Sequence, residues 1–133
     1  MKHITLAVTG SIAAYKAADL TSQLTKEDFA VTVLMTQAAT EFITPLTLQV
    51  LSKNLVHSDV MKESAPNKVN HIEIAKQTDL FLVAPASANT IAKLASGFAD
   101  NMITSTALAL PITVKKVLSP AMNTKMYENP ITQ

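Results

Sequence analysis

The segment from Pro120 to Met126 combines a side-chain amide with two methionines. It follows an apolar run, Thr113 to Leu118, that predicts a β-strand, and side chains just after a strand of a parallel sheet lie at the edge where ligands bind. Asn123 could hydrogen-bond a carboxylate or an amide, while Met122 and Met126 could line a pocket for a flat or sulfur-containing ligand. The same pattern is typical of an asparagine that caps a short helix beside core methionines. The segment alone leaves both interpretations open.

Small hydroxyl residues mark the ends of the three other predicted strands. These strands and their ends are Ile4 to Thr9 followed by Gly10-Ser11, Ala30 to Thr36 ending on Thr36 itself, and Asp79 to Ala84 followed by Pro85 and then Ser87 to Thr90. Backbone amides and helix N-termini at such turns bind anions, usually phosphate. The chain has only two glycines, so the GxGxxG pattern of dinucleotide folds is absent and a mononucleotide fits better than NAD. Taken singly, each turn is also typical of an ordinary helix cap.

His71 is the candidate acid or base, because an imidazole titrates near neutral pH. It opens a short helical stretch, where a single histidine is also commonly structural. No second histidine stands at metal-ligand spacing and the chain has no cysteine, so we expect no metal site. The absence of a G-x-S-x-G elbow and of a cysteine nucleophile excludes most hydrolase mechanisms.

Helical periodicity separates the strands. Apolar residues recur at helical spacing in two stripes, Ala13-Ala17-Leu20-Leu24 and Ala88-Ile91-Ala92-Ala95; Pro45 is expected to open a further helix, Gly97 to end one, and Asp100 or Asn101 to cap the next. Apolar strands that alternate with helices indicate a parallel sheet covered on both faces. We therefore predict one doubly wound α/β domain over residues 1–133, a Rossmann- or flavodoxin-like three-layer sandwich. The polar stretch 63–70 is interpreted as a mobile loop.

Composition favours association with other subunits rather than with nucleic acid or membrane. Of the 133 residues 48% are hydrophobic and 16% charged, which predicts buried surface between subunits. A net charge of +1 leaves no basic footprint for nucleic acid, and no apolar run is long enough to span a membrane. Because the predicted strand begins directly after Met1-Lys2-His3, we expect no leader peptide and a cytoplasmic location.

Five segments, in order along the chain, resemble the homo-oligomeric flavin-containing cysteine decarboxylase family, and within it the phosphopantothenoylcysteine decarboxylases. They are Gly10 to Lys16, Asn70 to Ile72, Ala84 to Thr90, Gly97 to Asn101 and Pro120 to Met126. The histidine motif and the Pro-x-Met-Asn-x-x-Met motif are specific to that family, whereas the Gly-Ser turn alone is not. Together the segments span nearly the whole chain.

The resemblance implies that FMN binds at the carboxyl edge of the sheet. The residues that would contact it are Gly10, Ser11, Ile12, Thr36, Ser87, Ala88, Asn89, Thr90, Ala121 and Met122. His71 would be the catalytic base, and Asn123 would take part in catalysis by holding the substrate carboxylate. Asn101 and Met126 would help to shape the substrate pocket.

The implied activity is FMN-dependent decarboxylation of 4′-phosphopantothenoylcysteine to 4′-phosphopantetheine in coenzyme A biosynthesis, through a thioaldehyde, loss of CO2 and re-reduction. Family members are trimers or dodecamers with active sites between subunits, and a phosphopantothenate–cysteine ligase is an expected partner. The chain departs from the family pattern in lacking the cysteine acid of a C-terminal flap. We interpret it as a single domain without the flap and closing helix, impaired in the reductive half-reaction. Two alternatives remain: an oxidative peptidyl-cysteine decarboxylase and a non-catalytic, flavin-binding regulatory subunit.

Overall fold

Four parallel strands form the centre of the molecule. The computed structural model describes residues 1–58 and 70–133, so the segment interpreted as a mobile loop lies outside the described residues except for Asn70. The strands are β1 His3–Val8, β2 Ala30–Met35, β3 Leu80–Ala86 and β4 Lys115–Pro120, arranged β2-β1-β3-β4. The chain therefore reverses its winding direction beside β1, which is the point where such sheets bind ligands.

Helices connect the strands and cover both faces of the sheet. They are α1 Lys16–Lys26, α2 Pro45–Ser52, α3 Asn70–Gln77, α4 Ala88–Ser96, α5 Met102–Ala109 and α6 Thr124–Glu128, with 3-10 turns at Ile12–Tyr15 and Ala39–Glu41. Pro45 opens α2 and Gly97 ends α4 in the left-handed region at φ 75°, both as predicted. Asn101, rather than Asp100, caps α5.

Alternation along the strands creates two separate cores. Leu6 and Val8 face one side of the sheet and pack against the first helices through Ala17 and Leu48. Ala7 points to the other side, into a cluster to which α3 and α5 contribute their apolar residues. Because successive side chains of a strand point to opposite faces, one apolar run serves both cores. The predicted doubly wound α/β sandwich is confirmed.

The two prolines at the strand ends lie within strands rather than after them. Strand β3 was expected to stop at Ala84, yet it continues through Pro85 to Ala86, with a register shift between Val83 and Ala86 and a cis Ala84–Pro85 peptide bond. Pro85 has no N–H to donate, and at a register shift the ladder does not require one. Strand β4 likewise begins two residues later than predicted and ends on Pro120.

Strand β4 differs from the other three strands in its exposure. All six of its residues are exposed, whereas β1 has five buried residues of six. The expectation of a sheet covered on both faces therefore holds for β1 to β3, and not for β4 among the residues described. Within residues 1–58 and 70–133, no helix is long and apolar enough to cross a membrane.

Candidate functional site

The carboxyl ends of β1 and β3 are joined by the hydroxyl of Thr9, a residue that sequence reasoning placed only in the strand. Its Oγ1 donates to the Pro85 carbonyl at 2.6 Å and accepts from the Ser87 backbone N–H at 2.8 Å. Thr9 is fully buried, so water does not compete for these bonds. Thr9 thus fixes where Ser87, the first residue after β3, stands relative to β1.

Gly10 follows Thr9 and lies against the loop after β2. A Cβ at this position would come 2.7 Å from the Ala38 Cβ and 3.3 Å from its carbonyl carbon. Real Cβ atoms do not approach so closely, and therefore any side chain here would push the Ala38 loop away. The glycine predicted from its place in the turn is required by this close approach, since its φ is not in the left-handed region.

A cleft of about 380 Å³ opens at this carboxyl edge. Six of the predicted site residues line it, namely Gly10, Thr36, Ser87, Asn89, Thr90 and Asn101; four residues that sequence reasoning missed line it too, Gln37, Ala38, Lys93 and Asp100. Their side chains reach the cleft because three parallel strands end at one edge and α4 begins there. Among these four missed residues, only Lys93 could have been predicted from the sequence. Its spacing from Asn89 and Thr90 places all three on one face of the helix.

Helix caps organise the hydroxyl groups of the cleft. Ser87 Oγ caps α4 by accepting from the Thr90 N–H at 3.3 Å, and Thr36 Oγ1 accepts from the Ala39 N–H at 3.0 Å. Each of these interactions uses the oxygen as an acceptor, as the ordinary-cap interpretation predicted. The Thr36 hydroxyl proton has no acceptor among the described residues, so that hydroxyl can still donate to a ligand.

Helix α4 and the turn after it bring an ion pair to the cleft wall. The left-handed Gly97 turns the chain, so that Asp100 returns towards Lys93, and the Lys93 Nζ donates to Asp100 Oδ2 at 2.7 Å. This hydrogen bond is the main cause that lowers the pKa of the Asp100 carboxyl below its ordinary value. Asn101 follows and caps α5, accepting from the Thr104 N–H at 2.9 Å.

His71 lies in a second hollow. It lines an open groove of about 460 Å³ between α3 and α5, together with Ala99, Ser105 and Leu108. Its Nδ1 atom is buried and has no hydrogen-bond partner among the described residues. Ala99 lines this groove while the next two residues line the cleft, so the two hollows lie on either side of one short loop. Within a single chain, His71 therefore does not reach the cleft that Gly10 and Ser87 line.

The C-terminal predicted residues lie on a third surface. Ala121 donates its N–H to the Ala86 carbonyl at 3.1 Å, which holds the chain after β4 against the end of β3. Ala121 also lines a groove of about 390 Å³ beside α1, shared with Lys16, Ala84 and Pro120. Pro85 lies in this groove and Ser87 lies in the cleft, so the end of β3 separates the two.

Asn123 caps the short helix α6, which is one of the two interpretations that the sequence left open. Its Oδ1 caps α6 by accepting from the Lys125 N–H at 2.9 Å. The side-chain NH2 group has no partner among the described residues and remains available to a ligand carboxylate. Met126 is 49% exposed and Met122 half-buried, so neither is core filler.

Ser11 and Ile12 are not in the cleft beside Gly10. Ser11 caps the first 3-10 turn, with Oγ accepting from the Ala13 N–H at 3.1 Å, and Ile12 is 83% exposed. The structure thus brings the predicted residues together in three places, which are the cleft, the His71 groove and the surface after β4. Ala88, the first residue of α4, is only part-buried and lines none of these three hollows.

The donor set of the cleft suits a phosphorylated mononucleotide. It presents hydroxyls, side-chain amides, the N-terminus of α4 and one lysine. This is the chemistry that FMN requires for its phosphate and ribityl hydroxyls.

Comparison with known proteins supplies the family. The flavoprotein family model matches residues 1–133. The chain belongs to the flavoprotein family. A Streptococcus mutans serotype c protein named "Probable phosphopantothenoylcysteine decarboxylase" is 71% identical over 132 residues, covering 99% of this chain and 74% of that protein. A Bacillus subtilis protein named "Coenzyme A biosynthesis bifunctional protein CoaBC" is 46% identical, covering 97% of this chain and 31% of that protein.

Solved structures of this family share the fold. A PPC decarboxylase mutant complexed with pantothenoylaminoethenethiol superimposes with a TM-score of 0.87 at 32% identity, covering 98% of this chain and 72% of that one. The FMN-dependent cysteine decarboxylase TvaF gives a TM-score of 0.90 at 28% identity, covering 99% and 80% respectively. The predicted resemblance to flavin-containing cysteine decarboxylases and the predicted cofactor FMN are confirmed.

Proposed function

We propose that this chain decarboxylates 4′-phosphopantothenoylcysteine to 4′-phosphopantetheine in coenzyme A biosynthesis, with FMN as its cofactor. One observation carries the proposal: the cleft of hydroxyl, amide and ammonium donors at the carboxyl edge belongs to a chain 71% identical to a protein named for this reaction. The step belongs to cytoplasmic metabolism, so we propose a cytoplasmic location as well.

The chemistry explains why a flavin is needed. A cysteine carboxylate cannot lose CO2 readily, because the carbanion left behind has nowhere to delocalise. When bound, FMN supplies a two-electron acceptor that oxidises the carbon bearing the thiol to a thioaldehyde, whose sulfur takes up the electron pair released with CO2, and it later returns the electrons. The protein contributes alignment of the substrate, exclusion of water and proton handling.

Within this scheme the cleft residues bind the cofactor. Ser87, Thr90 and Thr36 present hydroxyls at the edge, and Gly10 allows the Ala38 loop to pack closely beside them. Ser11, Ile12, Ala88, Ala121 and Met122 lie outside the cleft, and we propose that they contact the parts of the flavin that extend beyond it. Thr9 is a positioning residue, because it holds Ser87 in place from within the core.

His71 and Asn123 are the proposed catalytic groups. The His71 Nδ1 has no partner among the described residues, so this ring nitrogen is free to accept or relay a proton. The Asn123 amide, oriented by its bond to the Lys125 N–H, would donate to the substrate carboxylate. Asn101 and Met126 would border the same substrate.

We infer that the active site is completed between subunits. His71 and the cleft lie on either side of the loop at Ala99, so a second copy seated over that loop could contribute to both hollows at once. Apolar side chains exposed nearby support such a contact, with Phe98 50% and Leu108 57% exposed. The expected assembly is a homotrimer or a dodecamer, and a phosphopantothenate–cysteine ligase is the proposed partner enzyme.

Three measurements on the purified 133-residue chain test the function. Its absorption spectrum should show flavin bands, and acid should release FMN. Incubation with 4′-phosphopantothenoylcysteine should release CO2. The chain has no cysteine to protonate the product, so mass spectrometry should find the enethiol, two hydrogens lighter than the saturated thiol. A colourless protein that cannot be reconstituted with FMN contradicts the proposal, and clean turnover to the saturated thiol contradicts the impaired reductive half-reaction.

A peptidyl-cysteine decarboxylase is the competing activity. A mutant of EpiD complexed with the substrate peptide DSYTC gives a TM-score of 0.82 at 31% identity, covering 100% of this chain and 73% of that one. The two activities separate by substrate. CO2 release from peptides ending in cysteine, and none from 4′-phosphopantothenoylcysteine, would replace the proposed reaction with this one.

A further inference from the structure

Lys93 stands on the cleft-facing side of α4. Asn89, Thr90 and Lys93 lie within four residues of each other on one helix face, and all three line the cleft. The Lys93 side chain is 22% exposed, so its ammonium is partly withdrawn from bulk solvent. A cation in such a position interacts with an anion more strongly than one on an open surface.

Asp100 orients this ammonium and leaves some of its N–H donors free. The 2.7 Å bond to Asp100 Oδ2 is the one hydrogen bond that Lys93 Nζ makes to the described residues. An ammonium carries three N–H donors, so two remain for a ligand. Because the carboxylate holds one donor, the long side chain loses less conformational freedom when the ligand arrives.

Lys93 is also the cation of the cleft. Apart from Asp100, every other described residue that lines it is neutral. A phosphate monoester carries about 1.5 to 2 negative charges at neutral pH, and hydroxyl and amide donors leave that charge uncompensated. The cleft therefore has one group able to neutralise a phosphate.

We propose that Lys93, held in place by Asp100, pairs with the phosphate monoester of FMN. The inference rests on the proposed function. It assigns a cofactor-binding role to Lys93, which lies outside the five segments that resemble the family, and it gives the residues of the cleft two different roles. The hydroxyl and amide residues provide directed hydrogen bonds, and Lys93 provides the charge.

Flavin titrations on the full chain stripped of cofactor test the proposal. Riboflavin lacks the phosphate, so comparison with FMN isolates its contribution. Lys93→Met keeps the apolar stem without the charge and should weaken FMN binding by about 10- to 100-fold, the effect of losing one charge-assisted hydrogen bond. Riboflavin binding should stay within about twofold of wild type, since no charged partner is lost. Lys93→Arg should retain most of the FMN affinity.

A matched control and the salt dependence sharpen the result. Lys76 pairs with Glu73 on α3 at 4.0 Å and is 70% exposed outside the cleft. Lys76→Met should leave both flavin affinities unchanged. Added NaCl should weaken FMN binding to the wild type more than to Lys93→Met, because salt screens the charge that the variant lacks.

The titrations distinguish failure of the Lys93 proposal from failure of the proposed function. Equal losses of FMN and riboflavin, or an unchanged FMN affinity, overturn the role of Lys93. If Lys93→Met spares both flavins and raises KM for 4′-phosphopantothenoylcysteine but not for its unphosphorylated analogue, the lysine serves the substrate phosphate and the assignment to FMN is wrong. If the wild-type chain binds neither flavin, the proposed function itself is overturned.

Discussion

The hydroxyl of Thr9 accepts a hydrogen bond from the Ser87 backbone N–H at 2.8 Å, across 78 positions of sequence. The same oxygen donates to the Pro85 carbonyl at 2.6 Å. One buried side chain therefore sets the geometry of the turn from β3 into α4, where the cleft begins. A residue with no access to ligand thus controls the position of a residue that lines the site.

Thr9→Val should destabilise the protein and weaken FMN binding. The replacement has nearly the same shape but leaves the Ser87 N–H without its partner, which costs about 1–3 kcal/mol for a buried group. Urea denaturation measures the free energy of unfolding, and flavin titration measures the affinity.

Thr106→Val is the matched control for Thr9→Val. The Thr106 Oγ1 is buried and has no partner among the described residues, so its removal should leave stability unchanged or raised. Equal losses in the two variants would show that the Thr9 hydrogen bonds are not the cause.

Gly10→Ala should displace the loop that carries Ala38. The new methyl group would stand 2.7 Å from the Ala38 Cβ, and overpacking of this kind costs about 1–3 kcal/mol. We expect weaker FMN binding and a lower urea midpoint. The double variant Gly10→Ala/Ala38→Gly removes the facing methyl group and should recover most of both losses; no recovery would contradict the steric explanation.

His71→Asn should reduce the rate of CO2 release while sparing the cofactor. Loss of a general base lowers kcat/KM by about 100-fold or more. Because His71 lies outside the cleft, the flavin absorption bands should be unchanged. His3→Asn, at the amino end of β1, should retain wild-type activity, and full activity in His71→Asn would remove that residue from the mechanism.

Asn123→Asp separates capping from substrate binding. Aspartate caps a helix as well as asparagine does, so α6 should be preserved. The new carboxylate would repel the substrate carboxylate and remove a donor, which we expect to lower kcat/KM by about 10- to 100-fold. Asn123→Ala should lose both functions, and equal activity of Asn123→Asp and wild type would show that the amide serves only as a cap.

The ion pair of Asp100 predicts a pH dependence of stability. Its pKa is lower in the folded chain than the ordinary value of 3.8, mainly because Lys93 donates to the carboxylate. Such a group stabilises the fold above its unfolded-state pKa, and this contribution disappears as the pH falls through the folded-state value. The urea midpoints of wild type and Asp100→Asn should therefore differ by a constant amount at neutral pH and converge below about pH 4. A gap that stays constant down to pH 2 would contradict this.

Local sequence patterns predicted the helices and strands well, and the structural features that these patterns missed depend on long-range contacts. Helix signals such as Pro45 and Gly97 act within a few residues, so the sequence shows them directly. The role of Thr9 depends on a partner 78 residues away, and the ladder that carries β3 through Pro85 depends on its neighbouring strands. No local pattern contains that information.

The site residues were likewise predicted where local patterns suffice and missed where the packing of distant elements decides. Residues at strand ends converged in the cleft because the parallel topology requires it, and the sequence predicted that topology. His71 was identified by residue type and motif, but its groove is formed by α3 and α5, whose packing the sequence did not predict. Lys93 was missed because the apolar stripe of α4 predicts a helix and does not show which of its polar residues reach the cleft.

The exposed strand β4 limits how copies of this chain can associate edge to edge. An edge strand offers unpaired backbone groups to any other strand, and charged side chains or proline discourage such pairing. Lys115 and Lys116 place two positive charges at the start of β4, and Pro120 at its end has no N–H to donate. Val117 and Leu118, 44% and 39% exposed, lie between them. The residues that open and close this strand therefore disfavour its pairing with a strand of another molecule.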